Sequence, residues 1–133
     1  MKTEIEPNEI IMKLIGKFCS LTEAKRIQKK SYQTLQCKAA LNTEQGLCLD
    51  INEHSNIARF IRHHCEPNLK VTFVHAGNRD SKRFKVLLWA SKRIHFKLVF
   101  YFSDELFLDY TGLLVNSLGL QCRCGARNCN KTI

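Results

Sequence analysis

The chain has 133 residues, 44% of them apolar, and its 21 lysines and arginines outnumber 12 aspartates and glutamates for a formal charge of +9. That length suits one small domain with a modest core, and the charge favours polyanionic surroundings such as nucleic acid or chromatin. Glu4, Glu6 and Glu9 argue against a secretory signal, and the strongest apolar run, Leu98 to Phe102, is far too short to span a bilayer, so no membrane is expected.

Glu9 to Gly16 is apolar at Ile10, Ile11, Met12, Leu14 and Ile15 and predicts a largely buried strand ending at the glycine. Ser20-Leu21-Thr22-Glu23 is a capping-box pattern, in which the serine bonds the amide three residues on and the glutamate reaches back. A helix from Leu21 to about Lys30 follows, with Leu21, Ala24 and Ile27 on one face and Lys25, Arg26, Lys29 and Lys30 toward water. Gln36 to Leu41 is ambiguous between extended chain and loop. Gly46 to Ile51 alternates as a strand, with Leu47, Leu49 and Ile51 opposite Cys48 and Asp50.

Asn56 to Asn68 is the densest stretch: a short apolar segment of helical character (Ile57, Ala58, Phe60, Ile61) runs into His63, His64 and Cys65. Glu66-Pro67-Asn68 then stops any helix, because proline pushes the residue before it toward extended geometry. Leu69, Val71 and Phe73, then Phe84, Val86, Leu88 and Ala90, alternate with other residues on either side of Gly77-Asn78-Arg79-Asp80, which predicts a β-hairpin. Ile94, Phe96, Leu98, Phe100 and Phe102 continue the alternation, and Glu105 to Tyr110 adds a last short strand. The pattern is mostly β with one clear helix.

Seven cysteines in a chain without an export signal point to thiols or metal rather than disulfides, and to an intracellular setting. Cys122, Cys124 and Cys129 form C-x-C-x4-C, and three thiolates that close can share a tetrahedral zinc if a fourth ligand joins them. Cys65 is the natural donor; the plainer alternative is ordinary thiols with His63 or His64 nearby by chance. Cys19, Cys37 and Cys48 lack ligand spacing and read as small core residues.

Three blocks in order, Asn56 to Asn68, Glu105-Leu106-Phe107-Leu108-Asp109-Tyr110 and the terminal cysteines, resemble the SET-domain protein-lysine methyltransferases with their post-SET zinc motif. The resemblance implies a mostly β (α+β minor) SET-like β-clip fold of small sheets with a pseudoknot. Residues 1–114 would be the SET domain, lacking its N-terminal Gly-x-Gly segment, and 115–133 a post-SET tail bound through Cys65, Cys122, Cys124 and Cys129 to Zn2+. It implies methyl transfer from S-adenosylmethionine to a lysine of a histone tail, in the nucleus and on chromosomes. Tyr110 matches the catalytic tyrosine. Arg62, His63, Leu14 and Gly16 match cofactor-side positions, Leu108 and Phe107 the substrate channel, and Asn56, Arg59 and Phe60 positions that shape the core beneath the motif. Asp109 would hold backbone geometry rather than act as an acid.

Departures from the family pattern gather at the cofactor end. Arg62 stands for an asparagine that touches the cofactor, Leu108 for a channel aromatic, and Leu14-Ile15-Gly16 for Tyr-x-Gly. About six residues are inserted between Arg93 and Glu105 by motif spacing. The alternative expectation is therefore a catalytically impaired SET-like module that binds chromatin, nucleosomes or nucleic acid through its basic surface.

Overall fold

A computed structural model describes residues 3–28, 34–36, 47–75, 84–95, 104–111, 113–114 and 119–133. Its elements are β1 (Glu4–Ile5), β2 (Ile10–Leu14), β3 (Lys17–Ser20), α1 (Leu21–Gln28), β4 (Thr34–Gln36), β5 (Leu47–Asp50), a 3₁₀ turn (Ile57–Phe60), β6 (Arg62–His63), β7 (Leu69–His75), β8 (Phe84–Ala90), β9 (Ile94–His95) and β10 (Phe107–Leu108). They form four small sheets, ordered β2-β8-β7, β3-β5-β4, β1-β9 and β10-β6.

The predicted hairpin forms, β7 and β8 pairing antiparallel from Leu69↔Ala90 to His75↔Phe84. Period-two alternation sends Val86, Leu88 and Ala90 into the core at 0–1% exposure. Leu14, Leu49, Leu69, Leu88, Ile94 and Leu108 close one cluster drawn from all four sheets, so none of the sheets has a private core. At the β2–β3 corner Gly16 has no room for a side chain, since an added Cβ would stand 2.6 Å from the Asp50 carbonyl oxygen. The helix starts where the capping pattern places it: the Glu23 amide donates to Ser20 Oγ at 3.2 Å, while the Glu23 carboxylate pairs with Arg26. Ala24 is fully buried on the inner face of α1, which packs on β5 and helps bury Cys48.

Some expectations of burial need correction. The Glu9–Gly16 strand is not largely buried: it edges its sheet, leaving Ile10 54% exposed, and Ile15 lies past its end at 48%. Phe60 is 72% exposed rather than part of the core, because a single 3₁₀ turn points only Ala58 inward. Cys48 shares the buried state of Leu49 on the opposite face of β5, since α1 covers one side and the core the other. The predicted strand through Phe96 to Phe102, Lys29 and Lys30, and Cys37 lie outside the described residues. Among the described residues no helix is long and apolar enough to cross a membrane.

Candidate active site and four-cysteine cluster

The central motif is held from both sides by its own asparagines. Asn56 Nδ2 donates to the Lys13 carbonyl at 2.6 Å, and its Oδ1 accepts the Ile15 amide at 3.5 Å, which ties the motif to the end of β2. Asn68 does the same at the other end, donating to the Glu105 carbonyl at 2.7 Å and accepting the Phe107 amide at 2.8 Å. In the sequence Asn68 shows only as the end of the Glu66-Pro67-Asn68 stretch that stops a helix. Its place directly after Pro67 is the available signal.

Between these staples β6 and β10 lie side by side as parallel strands, Phe107 opposite Arg62 and Leu108 opposite His63. The His64 amide extends the ladder by one bond to the Leu108 carbonyl, 3.0 Å. Alternation along β10 sends Leu108 into the core at 2% exposure and Phe107 the other way, against the His64 ring at 5.0 Å and beneath the Arg62 guanidinium at 5.7 Å. Arg62 itself turns outward, 69% exposed, and forms a two-pronged pair with Glu105 at 2.6 and 2.8 Å. Each partner reinforces the charge of the other, raising the Arg62 pKa and lowering that of Glu105.

Tyr110 follows the ladder. Its hydroxyl donates to the Ile61 carbonyl at 2.7 Å and its amide donates to His63 Nδ1 at 3.1 Å. Burial pushes the phenol up to about 12, so it stays protonated and neutral. With its proton spent on Ile61, the phenol oxygen keeps lone pairs for an incoming donor. Asp109 accepts from both the amide and the hydroxyl of Thr111, at 2.9 and 2.5 Å, the geometry-holding part expected of it.

His63 is 8% exposed, and desolvation lowers its pKa despite the opposing pull of Asp109. Because Nδ1 accepts an amide proton, the neutral ring carries its own proton on Nε2, which points at Cys65 Sγ 3.4 Å away. The 3.7 Å approach of Asp109 to Nδ1 is thus a polar contact and not an ion pair.

Cys65, Cys122, Cys124 and Cys129 converge, all four sulfurs within 4.8 Å of one another. A tetrahedral zinc with Zn–S bonds of about 2.3 Å needs sulfurs about 3.8 Å apart. The Cys65 sulfur stands 3.7 Å from that of Cys122 and 3.8 Å from that of Cys129, so the donor set fits the ion in number, chemistry and size. Gly125, at φ +79°, makes the left-handed turn that brings Cys129 back beside Cys122. The Asn130 amide favours the Cys65 thiolate, yet desolvation and the neighbouring sulfurs push that thiol up to about 12. The Cys65 and Ala126 amides, in contrast, pull Cys124 down to about 6. Cys19 is pushed up to about 11, first by burial and then by Cys48, but it is only half-buried; of the two, Cys48 alone is a fully buried thiol.

Leu14 and Gly16 lie apart from this constellation. They line, with Lys13, Ile15, Phe18, Leu49 and Val86, a cleft of about 120 Å³ to which Arg62, His63 and Tyr110 do not contribute. On its own that is smaller than the roughly 300 Å³ that a small-molecule site needs. Asn56 joins the two regions through the backbone at Lys13 and Ile15.

The SET-domain family model matches residues 2–111. Histone-lysine N-methyltransferase EHMT1 of Homo sapiens is 29% identical over 130 residues, spanning 95% of this chain and 9% of that protein. The H3 lysine-9 specific histone-lysine N-methyltransferase SUVH4 of Arabidopsis thaliana is 37% identical over 93 residues, 65% of this chain and 14% of that protein. This chain therefore spans only a small part of the length of these relatives. A crystal structure of KRYPTONITE in complex with mCHH DNA, H3(1-15) peptide and SAH superposes with a TM-score of 0.70 at 26% identity, covering 98% of this chain and 25% of that one. The methyltransferase domain of human SETMAR gives 0.74 at 23% identity, covering 98% and 51%, a likeness of fold.

Proposed function

The chain belongs to the SET-domain family, and from that premise we propose that it transfers a methyl group from S-adenosylmethionine to a lysine side chain of a histone tail in chromatin. One observation carries the reading: the Tyr110 hydroxyl sits on the Ile61 carbonyl at 2.7 Å, so two oxygens meet where the central motif and the Glu105–Tyr110 segment run together. The homology adds weight, since the KRYPTONITE structure holds SAH and an H3 peptide. Residues 1–114 are the SET unit in this reading, and 115–133 the zinc-binding tail.

Bound S-adenosylmethionine supplies a methyl group already activated by a sulfonium, so the protein's task is alignment and charge placement. Local charges suit such a group. Arg62 is turned to Glu105 and His63 is neutral, so neither sets a positive charge against the sulfonium. Tyr110 is the catalytic residue, its phenol oxygen accepting from the lysine amine while the Ile61 carbonyl holds the hydroxyl in place. A phenol pushed up to about 12 is no base near neutral pH, so the lysine proton leaves to solvent or through the channel. We assign the cofactor to the face between Leu14–Gly16 and the motif, with Arg62 contributing backbone rather than guanidinium, and the channel to the inner side of β10 at Leu108, while Phe107 faces the opposite way toward His64 and Arg62. Incubating the chain with labelled S-adenosylmethionine and histone H3 should give labelled H3. Calorimetry showing no cofactor binding at millimolar concentration would overturn the reading.

A second reading, docking on nucleic acid or nucleosomes, is favoured by the +9 charge and by exposed Lys13, Lys70 and Lys85 on the outer face of the β2-β8-β7 sheet. It requires an affinity for DNA that falls steeply as salt rises; binding indifferent to salt removes it.

A further inference from the structure

Tyr110 lies just past the end of its strand pairing. The β6–β10 ladder stops at Leu108 opposite His63, with the His64 amide on the Leu108 carbonyl. From there the Tyr110 amide is held by the His63 ring, at 3.1 Å, and the Tyr110 hydroxyl by Ile61, two residues earlier in the same motif. The other side of that ring faces a sulfur of the metal cluster, Cys65 Sγ at 3.4 Å. An amide N–H can only donate, so Nδ1 must be the acceptor and Nε2 must bear the proton of the neutral ring. A thiolate bound to a cation is the better acceptor for that proton, and donors outside a metal's ligand set orient the ligands and adjust their affinity.

We propose that His63 is a positioning residue that fastens Tyr110 to the four-cysteine cluster, its Nε2–H on the Cys65 sulfur and its Nδ1 under the Tyr110 amide, so that metal in the cluster fixes where Tyr110 stands. The proposal rests on the zinc reading of the cluster, and its catalytic consequence on the methyltransferase reading. The measurements below need no turnover, so the failure of either reading is seen separately.

Two substitutions divide the ring's two bonds. In His63→Asn the side-chain oxygen can take the place of Nδ1 but nothing reaches Cys65. In His63→Gln the amide nitrogen can take the place of Nε2 while the acceptor for Tyr110 is lost. With the full chain loaded with Zn2+, His63→Asn should release metal to a chelator roughly 10- to 100-fold more readily, with the Tyr110 amide resonance little moved. His63→Gln should hold metal like the parent and shift the Tyr110 amide resonance, with faster hydrogen exchange there. In the unsubstituted chain loaded with 113Cd2+, the His63 nitrogen shifts should report the Nε2–H tautomer, and removing the metal should move the Tyr110 amide. An Nδ1–H tautomer, or a Tyr110 amide indifferent to metal, overturns the proposal even if both variants fail to fold. So does an equal effect of the two variants on metal release and on Tyr110.

Discussion

Replacing Tyr110 by phenylalanine deletes one oxygen, and the structure says what that oxygen does. It makes one partly buried hydrogen bond, to the Ile61 carbonyl at 2.7 Å, and the ring keeps its packing against the core. Losing such a bond costs about 1 kcal/mol of stability, which for a domain of this size lowers the melting temperature by about 2–5 °C. A transition-state donor or acceptor is worth more, about 2.7–4 kcal/mol, or about 10²–10³ in kcat. Unfolding therefore cannot account for the lost rate, and the two effects separate. The assay pairs thermal denaturation with labelled methyl transfer to histone H3. A variant that melts a few degrees lower and still transfers methyl at near parental rate would refute the role given to the phenol. The alkaline limb offers a second check. The folded phenol titrates at about 12, above its ordinary 10.0, so its contribution to stability is complete below about pH 10 and is lost as pH rises through 12. That loss should vanish in Tyr110→Phe.

Elemental analysis should find about one zinc per chain, and metal should be released as pH falls, because protons compete for the four thiolates that coordinate it. The depressed His63 adds to acid sensitivity with the same sign: the unfolded ring charges below about 6.5 before the folded one does, so stability declines from there toward the lower folded value. Equilibrium denaturation of zinc-loaded chain across that range checks both. Gly16→Ala forces a Cβ to 2.6 Å from the Asp50 carbonyl and should cost about 1–3 kcal/mol in urea unfolding; an unchanged midpoint would mean the corner is loose. Arg62→Asn should leave the melting temperature almost unmoved, since its pair with Glu105 is solvent-exposed, and should tighten S-adenosylmethionine binding by calorimetry; weaker binding would give the guanidinium a cofactor role.

Local patterns in the sequence recovered the elements whose cause is local. Alternation gave the β7–β8 hairpin, a capping box gave the start of α1, and C-x-C-x4-C spacing gave three of the four clustered sulfurs, the distant Cys65 coming from the family resemblance. What escaped is the work of long-range pairing. Two-residue parallel strands such as β6 and β10 carry no periodicity, so their register and the part of Asn68 in setting it are visible only in three dimensions. Arg62 could be weighed as a departure from a family pattern, but not aimed: that Glu105, 43 residues away, would capture it follows from the same pairing. Phe60 was misplaced because one turn of 3₁₀ helix has too few residues for an inner and an outer face to show in the sequence.

The separation of Cys65 from Cys122 by 57 residues bears on how the protein is made. At a ribosomal pace of about 5–20 residues per second, the first thiol would emerge about 3–11 s before its partners. During that wait it is an open target for oxidants and stray metals, and the His63 ring that holds the Tyr110 amide lies against a sulfur not yet joined by its three partners. Drawing the four sulfurs together therefore waits on the later three, and scarce zinc should lengthen the interval in which Cys65 stands alone.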